Sequence, residues 1–141
     1  MLSAYRVERR KFKRLQVSLS VLCRVMWPWD LIERTQGSEF ETEASDISLL
    51  GMALLSRQNF PVGTKLFLKV IIFEFNGQSD VRFHEAVILY GRIRSIGVLS
   101  DGRFRLGMCF EDMDAFKKRA IEDIFESSLR YEARIEGEMS I

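Results

Sequence analysis

The sequence predicts a mainly β protein: a six-stranded antiparallel β-barrel, closed or nearly so, followed by one C-terminal α-helix. Three observations carry this reading. Apolar residues recur at every second position along most of the chain, short turn signals separate these stretches, and the period becomes helical only after about Asp112. At 141 residues and 47% hydrophobic composition, the chain suits one domain whose core needs neither disulfides nor metal.

From Leu15 to Val25 every odd position is apolar, whereas Gln16, Ser18, Ser20 and Arg24 fall on even ones, which describes a long strand with one buried face. Trp27-Pro28-Trp29 ends it, because Pro28 has no N–H for a ladder, and a connection runs to about Gly37. Phe40, Thr42 and Ala44 alternate with glutamates in a second strand, and Leu49 to Leu55 follows, with Gly51 marking a turn or bulge. After the Pro61-Val62-Gly63 turn, Leu66 to Phe75 is rich in β-branched and aromatic residues and stops at Asn76-Gly77. Val87 to Val98 and Arg103 to Phe110 complete the set, joined by Asp101-Gly102, with Phe104, Leu106, Met108 and Phe110 on one face. Phe116, Ala120, Ile121, Ile124, Phe125, Ser128 and Leu129 then form a helical stripe, with Asp112 or Asp114 as N-cap. The helix should cover an open end or side of the barrel.

Charge is distributed unevenly. Residues 1–14 carry six cations against Glu8, a local +5 in a chain of net charge +1, so the remainder carries −4. The expected organisation is a basic arm over residues 1–14, a barrel with its helix over 15–131, and a tail over 132–141. Cys23 and Cys109 stand alone within apolar patterns and read as two buried thiols of a reducing compartment, which places the protein in the cytoplasm. No apolar run approaches the length of a membrane helix, and the basic start lacks a cleavage site, so neither membrane insertion nor secretion is expected.

His84 is the only histidine, and HExxH, GxSxG, GxGxxG and Walker spacings are all missing, so an enzyme is not expected and neither metal nor cofactor is implied. Two short motifs remain. Arg10-Lys11-Phe12-Lys13-Arg14 immediately precedes the first strand, and Asp46-Ile47-Ser48-Leu49-Leu50-Gly51 ends the second. Arg-x-x-x-Arg alone says little, since it also occurs at Arg6 to Arg10 and at Arg130 to Arg134; Asp-x-Ser-x-x-Gly is rarer. Together and in this order they resemble the PilZ domain, the bacterial receptor module for cyclic di-GMP. Pro61-Val62-Gly63-Thr64, Gly91-Arg92-Ile93 and Arg105-Leu106-Gly107-Met108-Cys109-Phe110 extend the resemblance from about Glu8 to Arg130. One departure is the 31 residues between Arg14 and Asp46, longer than is usual in the family, with the surplus in Trp27 to Gly37.

The resemblance implies that Arg10, Arg14, Asp46, Ser48 and Gly51 bind cyclic di-GMP, with Arg9 next to the first motif as a further candidate, and that the arm folds over the ligand to present a new face to a protein effector. The chemistry suits the residues on its own terms. Arginine forks engage phosphates and guanine O6 and N7 bidentately, a carboxylate accepts from the guanine N–H edge, and glycine permits a tight turn. Arg9 adds a further guanidinium, either for a second, stacked ligand molecule or as solvated charge. The other reading of the second motif is a turn in which Asp46 and Ser48 bond their own backbone. Two rival functions stay open: a protein-only interaction module on the same barrel, and a small nucleic-acid-binding barrel using the arm with Trp27 and Trp29. The acidic remainder argues against a nucleic-acid polymer as partner.

Overall fold

Alternation in β1 (Leu15–Trp27) turns Val21, Cys23 and Val25 into the interior, and β2 (Phe40–Ile47) does the same with Thr42, Ala44 and Ile47. The computed structural model describes residues 15–75 and 81–126, with side chains over 19–72 and 86–126. The arm, the Asn76-Gly77 turn, the His84 side chain, Ser128, Leu129 and the tail therefore lie outside the described residues. With β3 (Gly51–Ser56), β4 (Lys65–Phe75), β5 (Val81–Val98) and β6 (Phe104–Glu111), the strands close into a barrel in the order β1-β2-β3-β6-β5-β4. All neighbouring pairs are antiparallel.

The barrel is not a simple meander. β3 and β4 are consecutive in the chain but not neighbours in the barrel, so residues 57–64 must pass from one to the other. Phe60 anchors that passage in the core and stacks on Phe40 with ring centroids 5.2 Å apart. The Pro61–Thr64 turn is held to β5 by Gly63 N–H donating to the Ile93 carbonyl and Ile93 N–H to the Thr64 carbonyl, at 2.8 and 2.9 Å. Arg92 reinforces it, donating from Nη1 to the Gly63 carbonyl at 2.9 Å and from Nε to both Glu111 oxygens at 3.1 Å.

Several expectations need correction. The segment read as a connection holds a helix, α1 (Trp29–Thr35), whose Leu31 reaches the core. The Pro28 carbonyl accepts from Leu31 and Ile32 N–H, and Gln36 ends the helix in the left-handed region at φ 55°. Seven residues with Leu31 as the buried contact are too few to show a period. β5 begins at Val81, six residues before the expected Val87, because the polar residues of Arg82 to Glu85 interrupt the pattern; a bulge in the β4 pairing lies there, between Ile72 and Phe73. Cys109 is exposed, since β6 turns Leu106 and Met108 inward and leaves odd positions outside. Asp114 is the N-cap of α2 (residues 115–126), its Oδ1 accepting from Lys117 N–H at 2.8 Å. Ile121 and Ile124 of α2 pack in the barrel core, but Phe116, two residues after the cap, is 82% exposed and does not belong to the buried stripe.

The two thiols should therefore react very differently. Burial pushes the Cys23 thiol up to about 12, against the smaller opposing effect of its hydrogen bond with Thr42 at 3.2 Å, so it carries almost no thiolate at neutral pH. Native protein treated with a maleimide should take up one label, mapped to Cys109 by mass spectrometry, and two only after unfolding. A second check concerns Glu111, whose carboxyl is held below the usual range chiefly by the Arg92 hydrogen bond. A lowered folded value means stability that is complete above the ordinary carboxylate range and lost as pH falls through the lowered one. Glu111→Gln should accordingly flatten the fall of Tm between about pH 6 and about pH 3.

Candidate functional site

Ala44 and Ile47 are both buried although three residues apart, because β2 carries a bulge against β3 between Ala44 and Asp46. The extra residue leaves Ser45 and Asp46 both outside the core. Asp46 Oδ2 accepts a hydrogen bond from Arg105 Nη2 of β6 at 2.6 Å. An ion pair this exposed is worth about 0–1 kcal/mol, so its importance lies in where it holds the carboxylate.

Ser48 is committed to the turn that follows. Its Oγ accepts from the N–H groups of Leu50 and Gly51 at 3.2 and 3.3 Å, and its own N–H donates to the Gly51 carbonyl at 2.8 Å. The backbone-bonding reading of this motif thus fits Ser48 and does not fit Asp46, whose partner is on another strand. Leu50 stands exposed at the tip while its carbonyl accepts from Phe110 N–H at 2.8 Å, pinning the turn to the end of β6. Gly51 pairs with Cys109, and a Cβ there would collide with the Met108 carbonyl oxygen. The glycine is required by this close approach of two backbones.

β1 starts beside this turn. Leu15, which follows Arg14 directly in the sequence, pairs with Ile47, and Gln16 pairs with Asp46. The second motif and the point where the first joins the barrel therefore share one corner, despite the 31 residues between them in sequence. Arg9, Arg10 and Arg14 themselves lie outside the described residues. Sequence reasoning assigned no role to Arg105. Its position between inward-facing Phe104 and Leu106 marks it as outward, but its pairing with Asp46 depends on a strand order that no local pattern encodes.

Two other features of the surface are relevant. An open groove of about 760 Å³ lies along the other half of β2, lined by residues including Glu41, Glu43, Arg57 and Arg103. It contains none of the three motif residues, and its two glutamates are balanced by its two arginines. Among the described residues, no group of three or more His, Cys, Asp and Glu side chains could hold a metal ion, and no helix is long and apolar enough to cross a membrane.

The backbone collision at residue 51 gives a direct check. Gly51→Ala should destabilise the protein by about 1–3 kcal/mol through overpacking, read as a lower denaturation midpoint, because β3 must move away from β6. An unchanged midpoint would contradict the tight β3–β6 approach.

Comparison with known proteins agrees with this architecture. The family model described as PilZ domain matches residues 8–127. No curated protein matches the chain in sequence. Among solved structures, the PilZ domain of YcgR from Escherichia coli, with c-di-GMP, superposes with a TM-score of 0.60 at 19% identity, over 92% of this chain and 98% of that one. MotI/DgrA, an inhibitor of motility from Bacillus subtilis, also gives 0.60, at 17% identity over 86% of this chain and 52% of its own. The MrkH–c-di-GMP complex of K. pneumonia gives 0.60 at 15% identity, over 89% and 55%. The chain thus spans about half the length of the MotI and MrkH structures and nearly all of the isolated YcgR domain. With the family model covering both motifs and the whole barrel, the chain belongs to the PilZ domain family.

Proposed function

We propose that this chain is a cytoplasmic cyclic di-GMP receptor that changes conformation on binding and passes the signal to a protein effector, without catalysis. The observation that carries the reading is the pairing of Leu15 and Gln16 with Ile47 and Asp46, which ties the residue after Arg-x-x-x-Arg to the Asp-x-Ser-x-x-Gly turn. Family membership supports it, as do the PilZ structures of YcgR and MrkH that hold c-di-GMP.

In this reading Arg10 and Arg14 supply forks for phosphate and for guanine O6 and N7, and Arg9 supplies a further guanidinium. Asp46 accepts from the guanine N–H edge. Ser48 and Gly51 serve by holding the turn close to β6, so that this half of the site has its shape before the ligand arrives. The arm over residues 1–14 folds onto the ligand, and the surface so formed is what an effector reads.

Isothermal calorimetry tests this directly. Cyclic di-GMP should give a heat of binding, while GTP and a short single-stranded RNA should not. Charge-assisted hydrogen bonds contribute about 1.5–3 kcal/mol each, so Arg10→Ala or Arg14→Ala should weaken binding roughly ten- to a hundredfold. Asp46→Ala should change the ranking of cyclic di-GMP over cyclic di-AMP more than overall attraction, because a carboxylate repels phosphate. A stoichiometry of two that falls to one in Arg9→Leu would assign Arg9 to a second ligand molecule, whereas one in the wild type would leave it as solvated charge. No heat at high micromolar cyclic di-GMP would remove the receptor reading.

A further inference from the structure

We propose that Arg105 is a second base-reading residue of this site: with Asp46 it forms a fixed acceptor–donor pair that matches the edge of guanine and mismatches that of adenine. The inference rests on the cyclic di-GMP reading and adds a specificity determinant that lies outside both sequence motifs.

Asp46 and Arg105 stand on strands that are not neighbours, with β3 between them. Ala53 pairs with Asp46 and the next outward residue of β3, Leu55, pairs with Arg105, so the contact crosses β3 on a diagonal that passes the small Ala53 methyl group. Larger side chains there would stand in the path of the contact. As it is, Nη2 reaches Oδ2 at 2.6 Å across the face of the sheet.

The contact leaves chemistry unused. It engages one N–H donor of the guanidinium and one oxygen of the carboxylate, and each group has more to offer. The arginine side chain is 37% exposed and the aspartate 17%, so an arriving ligand meets the donor fork first and the acceptor beside it. Guanine presents a matching row, with O6 as acceptor next to the N1–H and N2–H donors. A base seated against the pair donates to Asp46 and accepts from Arg105 at once. Adenine reverses both positions: its N1 lone pair would face the carboxylate and its N6–H group the guanidinium. A site built to hydrogen-bond one edge rejects the other because its polar groups are then left unpaired. Arg105 also offsets part of the carboxylate's charge, which weakens the repulsion between Asp46 and the phosphates.

A purely structural ion pair would predict loss of stability or of affinity without loss of preference, which separates the two roles. Affinities for cyclic di-GMP and cyclic di-AMP are measured by calorimetry for the wild type, Arg105→Met and Arg105→Lys, with thermal unfolding of each. In Arg105→Met the preference for cyclic di-GMP should fall about tenfold while the protein still unfolds cooperatively. Arg105→Lys keeps the charge but not the planar fork, so it should also lose preference, and it serves as the folded variant should Met fail to fold. A preference kept at the wild-type value, or equal weakening for both dinucleotides, would overturn the role of Arg105 and leave the receptor reading standing. A wild type that does not bind cyclic di-GMP would overturn both.

Discussion

Closure of the barrel through β1 is the constraint on which the rest depends. β1 pairs with β2 from Leu15 to Cys23 and with β4 from Ser20 to Trp27, so its two edges are used over staggered lengths. A slip of one residue against either neighbour would turn Val21, Cys23 and Val25 out of the core, which makes the register expensive to change. The stagger also shapes the surface. Over Leu15 to Leu19 the strand pairs with β2 and has parted from β4, so the segment entering the barrel is carried on β2 alone, beside Asp46. Core packing thus determines the place at which the basic arm is attached.

The other half of the corner is built from small residues and short bonds. Gly51 lets β3 approach β6 to a separation that a side chain would prevent, and Ser48 closes the turn before it with bonds to Leu50 and Gly51. Ala53, the β3 partner of Asp46, keeps the adjacent sheet surface low enough for Arg105 to reach Asp46. The turn is held by its own backbone and by Ser48, and the Asp46 carboxylate is held from β6 by Arg105. An acceptor group prepared in this way loses little further freedom on binding, and the ordering cost falls on the ligand and on the arm that meets it.

The strands were legible because alternation is a local property. Val21, Cys23, Thr42, Ala44, Leu106 and Met108 all face the core as their spacing indicates. The same rule applied to β6 would have put Cys109 outside, opposite Met108; reading it as buried weighed the apolar character of cysteine above the period. Phe116 failed for a related reason. It shares the helical period of Ile121 and Ile124, but it precedes the part of α2 that packs into the core. Helix α1 escaped because its signals are terminal ones, Pro28 at the start and Gln36-Gly37 at the end, with one buried leucine between. What no local pattern could supply is the meeting of distant residues. The pairing of Leu15 with Ile47 follows from hairpin order, whereas the pairing of Asp46 with Arg105 requires β6 to lie next to β3, and that follows from barrel closure.

The charge pattern becomes intelligible in the light of that geometry. A net charge of −4 outside residues 1–14 makes the body as a whole unfavourable to a dianion. At the corner the balance differs, because the Asp46 carboxylate is matched by the Arg105 guanidinium and the arm brings +5 to the start of β1. An anionic ligand of the proposed receptor is repelled by the rest of the body and attracted to the corner that holds the proposed base-reading pair. In the proposed receptor, attraction and selectivity are therefore carried by different residues. The arm's cations supply the first and are screened by salt, while the pair on the barrel supplies the second through hydrogen bonds made at contact distance, which salt screens less. Raising ionic strength should then weaken cyclic di-GMP binding strongly yet change its preference over cyclic di-AMP little, since both dinucleotides carry the same phosphates to the same arm.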